Sequence, residues 1–332
     1  MNISLKSFFV ISFCLFCILP APLRAEEPEE KLFSFSLETT LGFFYGQSEE
    51  IVYKAAEGTY LSELLWDMKP LLYYGAALSV RLKIPSWPVS FYAVPSAKIG
   101  IAGRSGIIED RDWLDTSDDY LTHYSKHDSY IYDSWFFDGD LGVSVRLRPG
   151  KTFNPALSVF GRFSYMEMKW ISRDGYVQYG QNNHSYPPFK PWDDSFTKIA
   201  ISGPGIQYSQ FWILISPGFA ADFPILGFFT LNCSFTATPL IWAAAEDLHL
   251  TRNLQFLDYP QGGLALEPEI RMLFFPNSRC SLSLQVSWRY ITGAVGSSWR
   301  KAINADAYIP EGNSSGAGFH ALNTGISFKV YF

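Results

Sequence analysis

Cysteine is nearly absent from this chain, with 4 in 332 residues, and Cys14 and Cys17 fall within an apolar leader. The remaining pair, Cys233 and Cys280, cannot make a disulfide scaffold and reads as two small apolar side chains. Histidine is as scarce, at 5, and His184 and His320 lack the spacing of metal ligands. No glycine-rich phosphate loop and no nucleophile elbow is present. Basic residues are outnumbered, 26 against 32 acidic ones, and form no stripe, which argues against nucleic acid as a partner. Beyond the leader no stretch reaches the ~18 uninterrupted apolar residues of a spanning helix. Pro217 and Pro224 break the most apolar candidate.

Residues 1–25 read as a cleaved signal peptide. Lys6 gives the positive start, Phe8 to Leu19 the apolar centre, and Leu23-Arg24-Ala25 a small residue at the cut. Removing Lys6 and Arg24 with it takes the net charge from −6 to −8. Residues 26–332 then form a single unit with no internal boundary or solenoid repeat. Aromatic residues make up 17% of the chain, yet mean hydropathy is +0.02. A wall whose residues alternate between lipid and lumen averages out in this way, and aromatic girdles raise the Tyr and Trp content.

The alternation is explicit. Phe33, Phe35, Leu37, Leu41, Phe43 and Tyr45 share one parity, while Ser34, Ser36, Glu38, Thr40 and Gly42 take the other, which continues to Ser48 and Glu50. Similar ladders run through 135–147, 157–163 and 282–290. Turn signals at Pro85–Pro88, Arg148–Pro155, Ala220–Pro224 and Pro276–Arg279 separate strands on one side. Longer polar stretches around 104–128, 171–196, 247–262 and 292–318 are expected to be loops on the other. The chain ends in strict alternation at Ile326, Phe328, Val330 and Phe332, the pattern of an outer-membrane insertion signal. The expected fold is all-β, a ten-stranded antiparallel transmembrane β-barrel in the outer membrane. A pore is disfavoured, because ~10 strands leave a narrow interior and Phe44, Phe136 and Phe160 point into it.

Two rim clusters carry possible chemistry. Asp110 and Asp112 lie two apart, so an extended backbone puts both carboxylates on one face. Asp247 and His249 have the same spacing. Their odd parity, however, matches the lipid-facing row Leu231, Cys233, Phe235 and Ala237. Charges facing lipid are costly, so a one-residue irregularity is expected near Pro239, which cannot donate to the ladder.

At this point the chain resembles the omptins, a family of outer-membrane endopeptidases of aspartyl type, along its whole mature length. The resemblance lies in Leu41-Gly42, Gly46 to Tyr53, Leu61-Ser62 with Leu64 and Trp66, Arg104-Ser105-Gly106, Asp110 to Asp115, Ser125 to Asp128, and Asp247 with His249. It implies a groove at the extracellular mouth in which a water, activated by His249 with Asp247 behind it, attacks a peptide bond. Asp110 and Asp112 would hold that water and stabilise the tetrahedral intermediate. Substrates would be exposed peptides and proteins at the cell surface, handled by a monomer in contact with outer-membrane lipids, with no metal or other cofactor. The family pairs an acid at the position of Glu50 with one at that of Ala245 in a pocket for basic side chains. With Ala245 in place, and His123 where an acid is common, a weakened or altered preference for Arg or Lys is expected. Tyr165, Glu167 and Lys169 fall on the lipid-facing row and resemble the family's lipopolysaccharide segment. Gln210, at what reads as another position of that site, argues against lipopolysaccharide as a required activator. The departures at Ala245 and His123 keep a second reading open, a catalytically silent barrel that acts as an adhesin or binding protein.

Overall fold

The computed structural model describes residues 32–54, 59–85, 87–115, 120–148, 153–180 and 189–332; the signal-peptide segment lies outside them. The strands are β1 (Phe33–Tyr53), β2 (Tyr60–Lys83), β3 (Val89–Gly100), β4 (Gly103–Asp112), β5 (His123–Arg146), β6 (Ala156–Tyr179) and the short β7 (Ile199–Ala200). They continue with β8 (Pro204–Leu226), β9 (Phe229–Thr238), β10 (Ile241–His249), β11 (Leu254–Gln261), β12 (Leu264–Phe274), β13 (Cys280–Ala302) and β14 (Ile309–Tyr331). Each pairs antiparallel with its neighbours, and β14 returns to pair with β1 from Tyr331↔Ser36 to Ser315↔Val52. Three staves of this wall are interrupted: β3 and β4 share one, β9 and β10 another, and β12 and β11 a third. Counted so, with β7 only an appendage on β6, the wall has the ten staves expected from the ladders.

Parity sorts the two faces as expected. Phe35, Leu37, Leu41 and Phe43 are exposed outside, whereas Ser36, Glu38, Thr40 and Phe44 are buried within. Outward apolar rows on β5, β6, β8, β13 and β14 complete the belt, the surface a hydrocarbon layer covers. Cys233 and Cys280 are free and sit on β9 and β13, with β12 between them.

The irregularity at Pro239 is present and its cause is visible. Leu214 pairs with Ile241 and Gly218 with Thr236, so one stave takes five steps where β8 takes four. Across the break the Thr238 hydroxyl donates to the Ile215 carbonyl at 2.6 Å and accepts the Leu240 N–H at 2.9 Å. That side chain fills the gap in the ladder beside a proline that has no N–H. Even-numbered Thr236 and Thr238 face inward below the break, and odd-numbered Ala243, Ala245, Asp247 and His249 face inward above it.

Two expectations are corrected. Three of the four stretches expected to be long loops are largely strand: β4 and β5 occupy most of 104–128, β10 with β11 most of 247–262, and β13 with β14 most of 292–318. These strand ends rise past the apolar belt, so water replaces lipid outside them and the alternation that marks a membrane strand is lost. Ala220–Pro224 is not a turn but part of β8, with Pro224 opposite Thr230; the reversal comes at Gly227-Phe228.

The interior is filled in layers. Lowest are paired charges: Arg271 and Lys329 on Glu38 at 2.9 and 3.1 Å, Arg162 on Asp140 at 2.7 Å, and Arg289 on Asp138 and Glu267 at 3.0 and 2.7 Å. Above them Phe44 stacks on Phe136 and packs against Tyr73. Higher still, Trp66, Trp170 and Tyr208 pack together, Trp66 and Tyr208 in parallel at 5.2 Å. Removing one member of a buried ion network strands the others. Arg289→Met is therefore expected to destabilise the refolded barrel by about 3–5 kcal/mol, read as a lowered urea midpoint.

Candidate active site

The aromatic layer is the floor of a groove at the end where the strands outrun the belt. β4 is held between β2 and β5, with Asp110 opposite Leu64 and Ser125, and Asp112 opposite Ser62 and His123. Both carboxylates therefore point inward side by side, as the two-residue spacing requires. The Ser62 hydroxyl donates to Asp110 Oδ1 at 3.4 Å. The single proton of the Ser125 hydroxyl has two acceptors, His127 Nε2 at 3.0 Å and Asp110 Oδ2 at 3.5 Å. His127 Nδ1 donates to the Asp174 carbonyl at 2.6 Å, and burial lowers its basicity, which keeps it a neutral acceptor toward Ser125.

Burial, opposed by Arg252 and reinforced by Asp247, lifts Asp110 to about 6. Burial and then the charge of Asp110 lift Asp112 to about 7. The charge of Asp110 disfavours ionisation of Asp112, so the pair retains a proton near neutrality.

Opposite stands β10, held between β8 and β11. His249 Nε2 lies 2.5 Å from Asp247 Oδ2. The other ring nitrogen, Nδ1, receives the Arg252 guanidinium, with Nε at 3.1 Å and a still shorter contact from Nη2. A nitrogen facing a guanidinium can only accept, so the neutral ring carries its proton on Nε2, toward Asp247. Phe256 packs edge-on against the imidazole at 5.7 Å.

Glu50 projects from β1 into the same space and is buried. Burial, with the charges of Asp247, Asp258 and Asp110, pushes its carboxyl well above the usual range. The structure thus gathers Asp110, Asp112, Asp247, His249 and Glu50 at one end of the barrel. Glu246 alternates to the outer face, where it accepts from Gln255. His123 packs edge-on against Tyr179 and Phe189. Sequence reasoning missed Ser62, Arg252 and Asp258. Asp258 is revealed only by the β10–β11 pairing register, and Arg252 by the turn between those strands, which brings it back onto His249.

Tyr165, Glu167 and Lys169 form an outward cluster apart from the groove. The Tyr165 hydroxyl donates to Glu167 at 2.9 Å, and Lys169 is paired with both Glu167 at 2.9 Å and Asp133 at 3.3 Å. The reading of Gln210 as part of that outer patch is corrected. It faces the lumen, buried, bonded to Ser48, Tyr208 and Trp212, because even-numbered residues of β8 point inward in this stretch.

The closed antiparallel wall with its outward apolar belt defines the class of outer-membrane β-barrels. The Omptin family model matches residues 31–332, and the chain belongs to that family. It is 23% identical over 290 residues to a plasminogen activator of Yersinia pestis, covering 85% of each chain. Its fold superposes on the crystal structure of the outer membrane protease OmpT from Escherichia coli with a TM-score of 0.72, at 17% identity, over 90% of this chain and 97% of the other.

The raised carboxyls have a cost with a definite sign. A folded-state value near 7 for Asp112, above the unfolded ~3.9, means the native state binds protons more tightly. Stability is then fully present below about pH 4 and falls as pH rises toward 7. Asp112→Asn is expected to raise the urea midpoint over wild type at pH 8, with the gain gone at pH 4.

Proposed function

We propose that the protein is an endopeptidase of aspartic type that hydrolyses exposed peptides and proteins at the cell surface by a water activated between His249 and the aspartate pair. The observation that carries this reading is the opposition of an Asp–His dyad to two buried carboxyls of raised pKa across one groove. Asp247 orients His249 and stabilises the imidazolium. Nδ1 becomes the base when the exposed Arg252 side chain yields it to an incoming water. Asp110, tethered by Ser62 and Ser125, holds that water on the other side. The hydroxide adds to the peptide carbonyl, the imidazole keeps the water's proton, and the proton retained by the Asp110–Asp112 pair serves the oxyanion or the leaving amine. No covalent bond forms between a side chain and the substrate.

One chain supplies every residue of this scheme, and no metal or other cofactor enters it. Delivery by a cleaved signal peptide, with the groove facing outward from the cell, accords with short turns at the opposite end of the wall. Lipopolysaccharide is not required in this reading, since Lys169 is already matched by two carboxylates.

The test is a fluorogenic peptide library on refolded barrel. His249→Ala and Asp110→Ala are each expected to lower kcat/KM by about 10²–10⁴-fold, with wild-type activity unchanged by lipopolysaccharide. Equal cleavage by all three proteins would overturn the scheme; no cleavage by any would favour a surface-binding barrel.

A further inference from the structure

We propose that Arg252 is a latch on the groove and a specificity-determining residue: its guanidinium closes off His249 until a carboxylate of the substrate draws it away and holds it. The inference rests on the endopeptidase reading and adds to it a class of substrate, peptides with an acidic group near the cleaved bond.

Residues 250–253 form the turn between β10 and β11, in which the Arg252 N–H returns to the His249 carbonyl at 3.2 Å. That closure carries the side chain at 252 back over the imidazole. Asn253 takes the left-handed conformation, at φ 54, that leads into β11, and asparagine tolerates it. The turn is pinned on both flanks. The Leu250 N–H donates to the Gly205 carbonyl at 3.0 Å, and the Ile303 N–H to the Asn253 carbonyl at 3.1 Å. The backbone is thus held while the Arg252 side chain is exposed, so the latch opens by rotation of that side chain.

Closed, the guanidinium occupies the reacting space. It sits on Nδ1 of His249, the ring nitrogen that can accept a proton, since Nε2 faces Asp247. The same charge reaches Asp110 and Asp112 and opposes the rise that burial gives both. A water that takes its place on Nδ1 must first displace it.

The hold on the imidazole is a weak one. Among the described residues every hydrogen bond of the Arg252 guanidinium goes to that ring, and no carboxylate pairs with it. On the same collar Arg104 holds Asp128 at 2.6 Å, and Arg300 holds Glu311 at 2.8 Å. Arg111 holds both Glu63 and Glu109, at 3.0 and 2.7 Å. A carboxylate offers the guanidinium fork two charged acceptors, where the imidazole offers one uncharged nitrogen. An arriving carboxylate therefore takes the guanidinium from His249. A peptide lying extended past the imidazole advances ~3.3 Å per residue, so an acidic side chain within about two positions of the cleaved bond lies in reach of the exposed arm. An amide in its place lacks the charge and leaves the latch closed.

Matched peptides carrying Glu or Gln at successive positions on either side of the cleaved bond, with free or amidated C-termini, test the latch on the full-length refolded barrel. At one of these positions wild type is expected to show a kcat/KM about fivefold higher for Glu than for Gln. Arg252→Ala should bring that ratio to about one and raise cleavage of the Gln peptide. A preference that follows the free terminus instead supports the latch with the chain end as its carboxylate. A Glu preference that survives in Arg252→Ala, or no preference for any carboxylate in wild type, overturns the assignment. Carbethoxylation of His249, read by mass spectrometry with His320 as the internal reference, needs no turnover, because the reagent attacks the nitrogen that Arg252 covers. Arg252→Ala is expected to speed it severalfold. Unchanged labelling overturns the latch, and faster labelling supports it even where no peptide is cleaved. Heat-modifiable migration in gels identifies a variant that has not folded.

Discussion

In a hydrocarbon layer a backbone N–H finds no water, so a sheet survives there only if it has no edge. The pairing of β14 with β1 along most of their length removes the edge here, and everything else depends on it. Closure sends every second side chain into a confined lumen, which must be filled with matched groups. It also lets the staves run on past the apolar belt as a rigid collar. The groove stands on that collar, built from strand ends rather than mobile loops, which is how carboxyls from β1, β4, β10 and β11 can be held in opposition.

Much of this was legible in the sequence because the physical rule involved has a period of two. The rows Phe33–Tyr45 and Leu282–Trp288 announce lipid on one side, and the same rule, failing at Asp247 and His249, located the extra residue at Pro239. The collar was not legible. Once lipid is replaced by water outside the wall, alternation carries no penalty for being broken, and strand there looks like loop. The turn at Ala220–Pro224 was misplaced for a related reason, since Pro224 sits within β8 where the ladder ends.

For the site, spacing alone proposed Asp110 with Asp112 and Asp247 with His249, since two-residue intervals on an extended chain fix the face. Asp258 and Arg252 depend instead on how β10 and β11 come into register and on the turn between them, properties of the hairpin and not of either segment. Ala245 illustrates the difference. Read along the chain it is a missing carboxylate; read across the wall it is the small residue beside a carboxylate that lies thirteen positions later in sequence.

The paired charges and stacked rings that fill the lumen give the molecule a direction. Trp66, Trp170 and Tyr208 pack together across the lumen, each fully buried, so what enters the groove leaves by the same mouth. Such a barrel acts on the medium without admitting it: its products stay on the side where they were made, and the permeability of the membrane around it is untouched however many copies it carries.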